Sequence, residues 1–393
     1  MTPILPPLRL TGATILRDGE MQRRSVGLAG GRIERGAFPE IDLTGYLVLP
    51  GIIDLHGDGF EHHLFPRPGV AFPLDSGLAA ADREAAAHGL TTAWLAQGWS
   101  WEGGSRGPEG AEALLTALDA YRPQALTDLR VQLRAEVHLV GAAARLIETV
   151  RRHRIDLVIF NDHLQEAQDM RRLRPAAFAH WAWRNGRTPE AMLAAIEAAA
   201  AGAREVPRHL CRLADAFDEM GVLYGSHDDP DGETRERYGM MGARIAAFPT
   251  TRRAAAAARA MGSPVLLGAP NVVRGSSQSG SVAAADLISA GLCDVLVSDY
   301  HVPALAMAAW RLVDGGLADL PRAWGMISAM PAEVMRLADR GRIAPGLRAD
   351  LTVVNVATRQ VEATICGGRL SYLAGEAGRR FVAQPVAMRL AAE

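Results

Sequence analysis

Between residues 49 and 335, short apolar runs alternate with alanine-rich stretches of helical character. The runs lie at 47–53, 92–95, 131–138, 157–161, 222–225, 245–248, 265–267 and 295–297. Helix-like segments between them include 78–88, 109–121, 189–203, 204–219 and 254–261. Apolar runs this short suit strands of a parallel sheet buried on both faces. Alanine is the best helix former, so the alanine runs need no low-complexity explanation. Counting the opening run gives eight β/α steps, which predicts an α/β chain with a (β/α)8 TIM-like barrel in preference to a doubly wound sheet.

Both flanks are different. Residues 8–48 carry short strand-like runs at 8–14, 25–29, 32–34 and 41–43, with Gly30-Gly31 as a hairpin signal. Residues 340–375 return to short strands at 351–355 and 362–365. The expected division is a small β-sandwich from 1–48 and 340–393, and a barrel over 49–339.

Bulk properties exclude several classes. A net charge of -2 gives no reason to expect nucleic acid or a membrane surface. No apolar run approaches the roughly 18 residues of a membrane span. The start, Met-Thr-Pro-Ile-Leu-Pro-Pro, lacks the basic and apolar regions of a secretory signal. Cys211, Cys293 and Cys366 are odd in number and widely spaced, so they read as buried thiols of a cytoplasmic protein. None forms a Cys-x-x-Cys pair, so any metal site must use histidine and carboxylate. No feature sets the oligomeric state; a homo-oligomer is compatible with the sequence.

Barrel active sites lie at the C-terminal ends of the strands. The stretch Leu49-Pro-Gly-Ile-Ile-Asp-Leu-His-Gly-Asp58 ends the first run. Residues two apart on a strand point the same way, so His56 and Asp58 are expected to project together. Other strand ends supply Glu136 and His138, Asp162 and His163, His227 with Asp228 and Asp229, and Asp299. Any one of these is weak, because a lone histidine after a strand is usually a hydrogen-bonded loop residue. Five such ends together point to a site for two divalent ions. Glu136 suits a bridge, and Asp299 could hold an ion or take a proton from attacking water. His62 and His63 sit on the loop after the first strand; whether they or His138 touch metal stays open.

A second group suits phosphate. Gly268-Ala-Pro-Asn-Val-Val-Arg-Gly-Ser-Ser-Gln-Ser-Gly280, after the seventh run, joins Arg274 to Ser276, Ser277 and Ser279 in what reads as a Gly/Ser loop. Arg67, between Pro66 and Pro68, adds a guanidinium beyond the first strand.

Over nearly its whole length the chain resembles the amidohydrolase superfamily. The residues concerned are Gly30-Gly-Arg-Ile-Glu34, Leu49-Pro-Gly-Ile-Ile-Asp-Leu-His56, Asp299 and Gly346-Leu-Arg-Ala-Asp-Leu351. Asp54-Leu-His-Gly-Asp58, Pro66-Arg-Pro68, Ser226-His-Asp-Asp229, Phe248-Pro-Thr-Thr251, Gly268-Ala-Pro-Asn-Val-Val-Arg-Gly275 and Ser298-Asp-Tyr300 are similar to one group within it, the phosphonate-breakdown hydrolases of the carbon–phosphorus lyase pathway. That resemblance implies a metal-dependent diphosphatase hydrolysing α-D-ribose 1-methylphosphonate 5-triphosphate to the 5-phosphate and diphosphate. From the strand ends, His56, Asp58, Glu136, His163 and His227 are the expected ligands of two divalent ions, zinc first, with manganese, iron or nickel as alternatives. Asp299 is the expected catalytic base, and Arg67, Arg274, Ser276, Ser277 and Ser279 are the expected phosphate ligands. The superfamily usually carries His-x-His on the first strand, where this chain has His56-x-Asp58, and its bridging lysine has no obvious counterpart here. Hydrolysis of a C–N bond in a cyclic amide is the alternative on the same barrel.

Overall fold

The computed structural model describes residues 3–67 and 69–390, with side chains to residue 383. Pro68, one of the two prolines beside Arg67, lies outside the described residues, as do 1–2 and 391–393 of the terminal segments.

Eight parallel strands follow one another around the ring in chain order: Ile52–Gly57, Leu90–Trp99, Asp128–Glu136, Leu157–Asn161, Leu223–His227, Ile245–Ala247, Val265–Gly268 and Val295–Val297. The first and last strands meet through a parallel bridge between Gly57 and Asp299. There Asp299 N–H donates to His56 O at 2.9 Å and Asp58 N–H donates to Asp299 O at 2.8 Å. The interior is filled by Ile53, Leu55, Trp94, Leu157, Ile159, Ile245, Leu266, Val295 and Val297, so the barrel is a packed core and not a pore. Helices such as Leu74–Ala87, Pro108–Tyr121 and Ala304–Asp314 cover the outside. Apolar residues on both faces of each strand are what this double covering requires.

The run 47–53, expected as one strand, is two. Tyr46–Pro50 belongs to a sheet of the chain ends, and Ile52–Gly57 opens the barrel. Pro50 has no N–H to continue a ladder. Gly51 makes the turn where a Cβ would meet Thr91 Oγ1 at 2.3 Å.

The chain ends build two further sheets. One has six strands, ordered Arg369–Leu373, Val361–Cys366, Leu351–Asn355, Tyr46–Pro50, Thr14–Arg17 and Glu20–Arg23. The other has four, Arg32–Glu34, Val26–Ala29, Leu8–Thr11 and Glu40–Asp42. Leu10, Ile15, Leu28, Ile41, Val48, Val353 and Ile365 share one buried cluster between them.

The fourth and fifth barrel strands are separated by four α-helices: Leu164–Leu173, Pro175–Arg184, Pro189–Ala201 and Val206–Met220. The sequence signals the last two; the first two pack Leu164, Ala167, Phe178 and Ala182 into a satellite core with Trp101 and Met192. The stretch expected as a Gly/Ser loop at 268–280 begins as a helix, Ala269–Arg274, because Pro270 is well placed in a first helical turn and Gly275 ends it. All three cysteines are free, but only Cys366 is buried; Cys211 is exposed on the outer helix Val206–Met220. No helix among the described residues is long and apolar enough to cross a membrane.

Candidate active site

The seam between the first and last strands is a polar construction. Asp54, 1% exposed, accepts from Ser298 Oγ at 2.6 Å, Ser298 N–H at 3.0 Å and His56 N–H at 3.2 Å. Gly57 passes so close that a Cβ there would lie 2.6 Å from Ser298 Oγ and 2.8 Å from Asp54 Oδ2. This fixes the backbone between His56 and Asp58. Asp299 lies across the seam in a left-handed conformation with φ of 54°. Asp228 and Phe248, just past the fifth and sixth strands, also have positive φ, 57° and 54°. Three non-glycine residues in this region, all at strand mouths, mark backbone held off its preferred wells by its surroundings.

The candidate ligands fall into three groups, two of them sharing His163, and in each one ligand atom per residue lies within 4.8 Å of the others. The first is His56, Asp58 and Asp299. The second is Glu102, Glu136 and His163, and the third is His163, His227 and Asp228. Glu136 thus stands with His163 rather than with His56 and Asp58 among these groups. His163 Nδ1 contacts Glu136 Oε1, and its backbone N–H donates to Oε2 at 3.3 Å. The His227 ring centroid is 5.4 Å from that of His56 and 6.3 Å from that of His163. Phe248 packs on both His56 and His227, at 5.0 and 4.9 Å.

The residues fit divalent ions. His56 Nδ1 is buried and has no hydrogen-bond partner among the described residues. Burial, with Arg134 and His227 nearby, pushes His56 well below the usual imidazole range, and burial lowers His227 also. A neutral imidazole is the form that binds a metal. Burial pulls His163 down, but its contact with Glu136 outweighs this and leaves it raised. An ion takes the place of a proton in such a pair. Burial first, then Asp58, pushes the Asp299 carboxyl up to about 7. The sequence contains no lysine, so any bridging anion from a side chain here is a glutamate or aspartate.

Arg134 and Glu102 of this centre escape the sequence reading, and Asp228, collected there at its strand end, is not assigned as a ligand. Arg134 lies on the third strand two residues before Glu136, hence on the same face, and pairs with Asp58 at 3.4 Å. Asp228, directly after His227, places Oδ2 2.9 Å from His227 Nδ1. Glu102, 5% exposed, follows the second strand in a stretch with no motif to announce it. The spacing to Glu136 could have flagged Arg134. His138 pairs with Asp162 at 3.3 Å and joins none of the three groups. His63 pairs with Glu84 at 2.8 Å.

A cleft of about 640 Å³ opens above Asp58. One wall is the loop after the first strand, with His62, Arg67 and Tyr300 beside it. The other is the helix Pro175–Arg184 and its C-terminal turn, with His180, Trp181, Trp183 and Arg184. Arg106 lines it too, held by Glu61 at 2.9 Å. Arg274 reaches the same edge through Tyr300, whose hydroxyl it approaches at 3.3 Å. Ser276, Ser277 and Ser279 are not among the lining residues; Ser277 and Ser279 bond to each other at 3.0 Å in the loop beyond the helix. The structure therefore places Arg67 in the wall, Arg274 behind Tyr300 and outside the lining, and the serines outside it as well.

Comparison with known proteins gives no matching family model. Over 364 residues the chain is 31% identical to an α-D-ribose 1-methylphosphonate 5-triphosphate diphosphatase of Escherichia coli (strain K12), covering 88% of this chain and 94% of that protein. Among solved structures, N-acetylglucosamine-6-phosphate deacetylase from Pasteurella multocida matches 93% of this chain and 99% of its own, with TM-score 0.62 and 13% identity. An N-acyl-D-glutamate deacylase from Bordetella bronchiseptica, complexed with zinc and a phosphonate inhibitor, matches 94% of this chain and 96% of its own, with TM-score 0.59 and 17% identity. At those identities the structural matches carry the fold alone.

Proposed function

The chain belongs to the family of the α-D-ribose 1-methylphosphonate 5-triphosphate diphosphatases, in the amidohydrolase superfamily, and from that membership we propose that it hydrolyses a ribose 5-triphosphate carrying a phosphonate at C1 to the 5-phosphate and diphosphate. The observation that carries the reading is the junction of the His56, Asp58 and Asp299 group with a cleft lined by Arg67 and by Tyr300, whose hydroxyl Arg274 approaches. An uncharged amide offers those guanidiniums no charged group to pair with. The proposed substrate is a small phosphorylated sugar in the cytoplasm, with neither nucleic acid nor membrane as partner.

Two divalent ions, zinc or else manganese, iron or nickel, would be held by His56, Asp58, Glu136, His163 and His227. When bound they supply Lewis-acid polarisation, a lowered pKa for water and neutralisation of phosphoryl charge. The protein's own groups do the rest. Asp299, half of the seam and pushed up to about 7, accepts the proton of the attacking water at its carboxylate. A base with a pKa near the working pH serves that role well. Arg67 and Arg274 orient the β and γ phosphoryl groups by charge-assisted hydrogen bonds. Ser276, Ser277 and Ser279 join them only if the loop beyond Arg274 folds inward on the substrate. This arrangement puts the α-phosphorus at the strand ends and diphosphate, as leaving group, toward the arginines, in line with the attack.

Hydrolysis in heavy-oxygen water, with mass analysis of both products, tests the orientation. Label in the sugar 5-phosphate is expected, and label in diphosphate would overturn attack at the α-phosphorus. C–N hydrolysis remains the second reading because the fold is shared with the deacetylase and deacylase above. Turnover of cyclic amides without diphosphate release would select it.

A further inference from the structure

Two of the three ligand groups share His163, so one imidazole must serve either Glu102 and Glu136 or His227 and Asp228. Burial separates the two choices. The Asp228 side chain is 48% exposed, whereas Glu102 and Glu136 are 5% and 4% exposed. Two carboxylates facing each other out of water need a cation or a proton between them, and a divalent ion held with His163 meets that need for both. Arg106, whose charge senses Glu102, already commits Nε and a terminal nitrogen to Glu61 at 3.2 and 2.9 Å.

Glu102 is aimed by two donors. Ser100 Oγ–H donates to Oε1 at 3.3 Å, and Trp181 Nε1–H donates to Oε2 at 3.2 Å. Ser100 Oγ also accepts from the Glu102 backbone N–H at 3.1 Å, which fixes the turn. Trp181 stands on the cleft wall, on the helix Pro175–Arg184, edge-on to Trp101 with ring centroids 6.1 Å apart. One side chain thus touches both the substrate cleft and a carboxylate of the ion centre.

We infer that Glu102 is a ligand of the second divalent ion, with Glu136 and His163, and that Trp181 is the positioning residue that holds Glu102 for it. This rests on the reading of the site as a two-ion centre. Hydrogen bonds to a ligating carboxylate fix its direction, and their loss typically costs about 10–100-fold in metal affinity. Trp181 also makes the second ion sensitive to what fills the cleft, because a ligand that shifts the indole shifts Glu102.

The test is titration of chelator-stripped protein with zinc against a competing chelator dye, which reads the number of ions and the affinity of each. The wild type is expected to take two. Glu102→Gln should abolish or weaken one by at least about 10-fold, and Trp181→Phe should weaken the same one by about 10–100-fold. Ser100→Ala, which removes a single hydroxyl, should weaken it less, and provides a milder variant if the others fold poorly. Trp183→Phe, on the same helix turn but without a bond to Glu102, should change neither ion. A wild type that takes one ion, a Glu102→Gln protein that keeps two at full affinity, or equal weakening of both ions in Trp181→Phe would overturn the inference. Two-ion binding with this pattern, but no diphosphate released from a ribose triphosphate, would sink the proposed reaction and leave this assignment standing.

Discussion

Replacing Asp54 separates the strength of the barrel seam from its charge. Its Oδ1 accepts two backbone N–H groups, from Ser298 at 3.0 Å and His56 at 3.2 Å, and its Oδ2 accepts the Ser298 hydroxyl at 2.6 Å. Burial pushes the carboxyl above its usual range against the pull of these donors, so the neutral form is not costly here. Asp54→Asn can keep its oxygen on the two N–H groups and turn its amide toward the Ser298 hydroxyl, which then accepts. The expected loss is within about 1 kcal/mol. Asp54→Ala leaves both N–H groups buried without a partner at about 1–3 kcal/mol each, hence roughly 2–6 kcal/mol together. That is a large share of the roughly 5–15 kcal/mol that holds a typical domain folded. Urea midpoints of the two variants, compared with wild type at equal slope, provide the measurement. Divalent-ion content should follow the same order, because His56 and Asp299, proposed to face one ion, lie on opposite sides of this seam. Equal destabilisation by Asn and Ala would show that charge, and not the count of satisfied donors, holds the seam.

Asp299→Asn should keep the fold and most of the metal while lowering turnover by about 10²–10⁴-fold; near-normal turnover in a metal-replete variant removes it as the base. Arg67→Ala and Arg274→Ala should each impair use of the triphosphate far more than use of an uncharged ester, since each loses a charge-assisted contact; equal impairment would assign them to structure. His209, 5% exposed on the helix Val206–Met220, is driven down to about 4 by burial and Arg212. The folded state keeps it neutral while the unfolded chain takes up a proton below about 6.5, so its stabilising contribution is whole above that pH and falls toward pH 4, by at most about 1.4 kcal/mol per pH unit. Acid unfolding curves of His209→Gln should be flatter than wild type across that interval, and parallel curves would refute the assignment.

The barrel is legible in the sequence because each strand is an apolar run between helical stretches, and hydrophobic period is the strongest local signal. The run 157–161, for example, coincides with the observed strand Leu157–Asn161. The division at Gly51 is not legible, because residues 47–53 are apolar on both sides of it and only the meeting with Thr91 reveals the turn. His56, Asp58 and Asp299 can be read because they end strands. Glu102 cannot, since its place is set by Ser100 and by Trp181, 79 residues away. The helices Leu164–Leu173 and Pro175–Arg184 elude the reading as well: they bury few residues, against a satellite core and not the barrel.

The seam has a consequence for the order in which the protein comes together. Asp54 and Ser298 are 244 positions apart, and joining such distant segments must overcome the closure entropy of the long intervening chain. His56 and Asp58 emerge early in synthesis and Asp299 late, so the ion site proposed for them is incomplete until the last strand docks against the first. An ion bound there favours only the closed ring, adding its binding free energy to ring closure. With an ion at that proposed site, metal supply would condition late maturation as well as turnover, and metal-starved chains should accumulate with the ring open between residues 57 and 299.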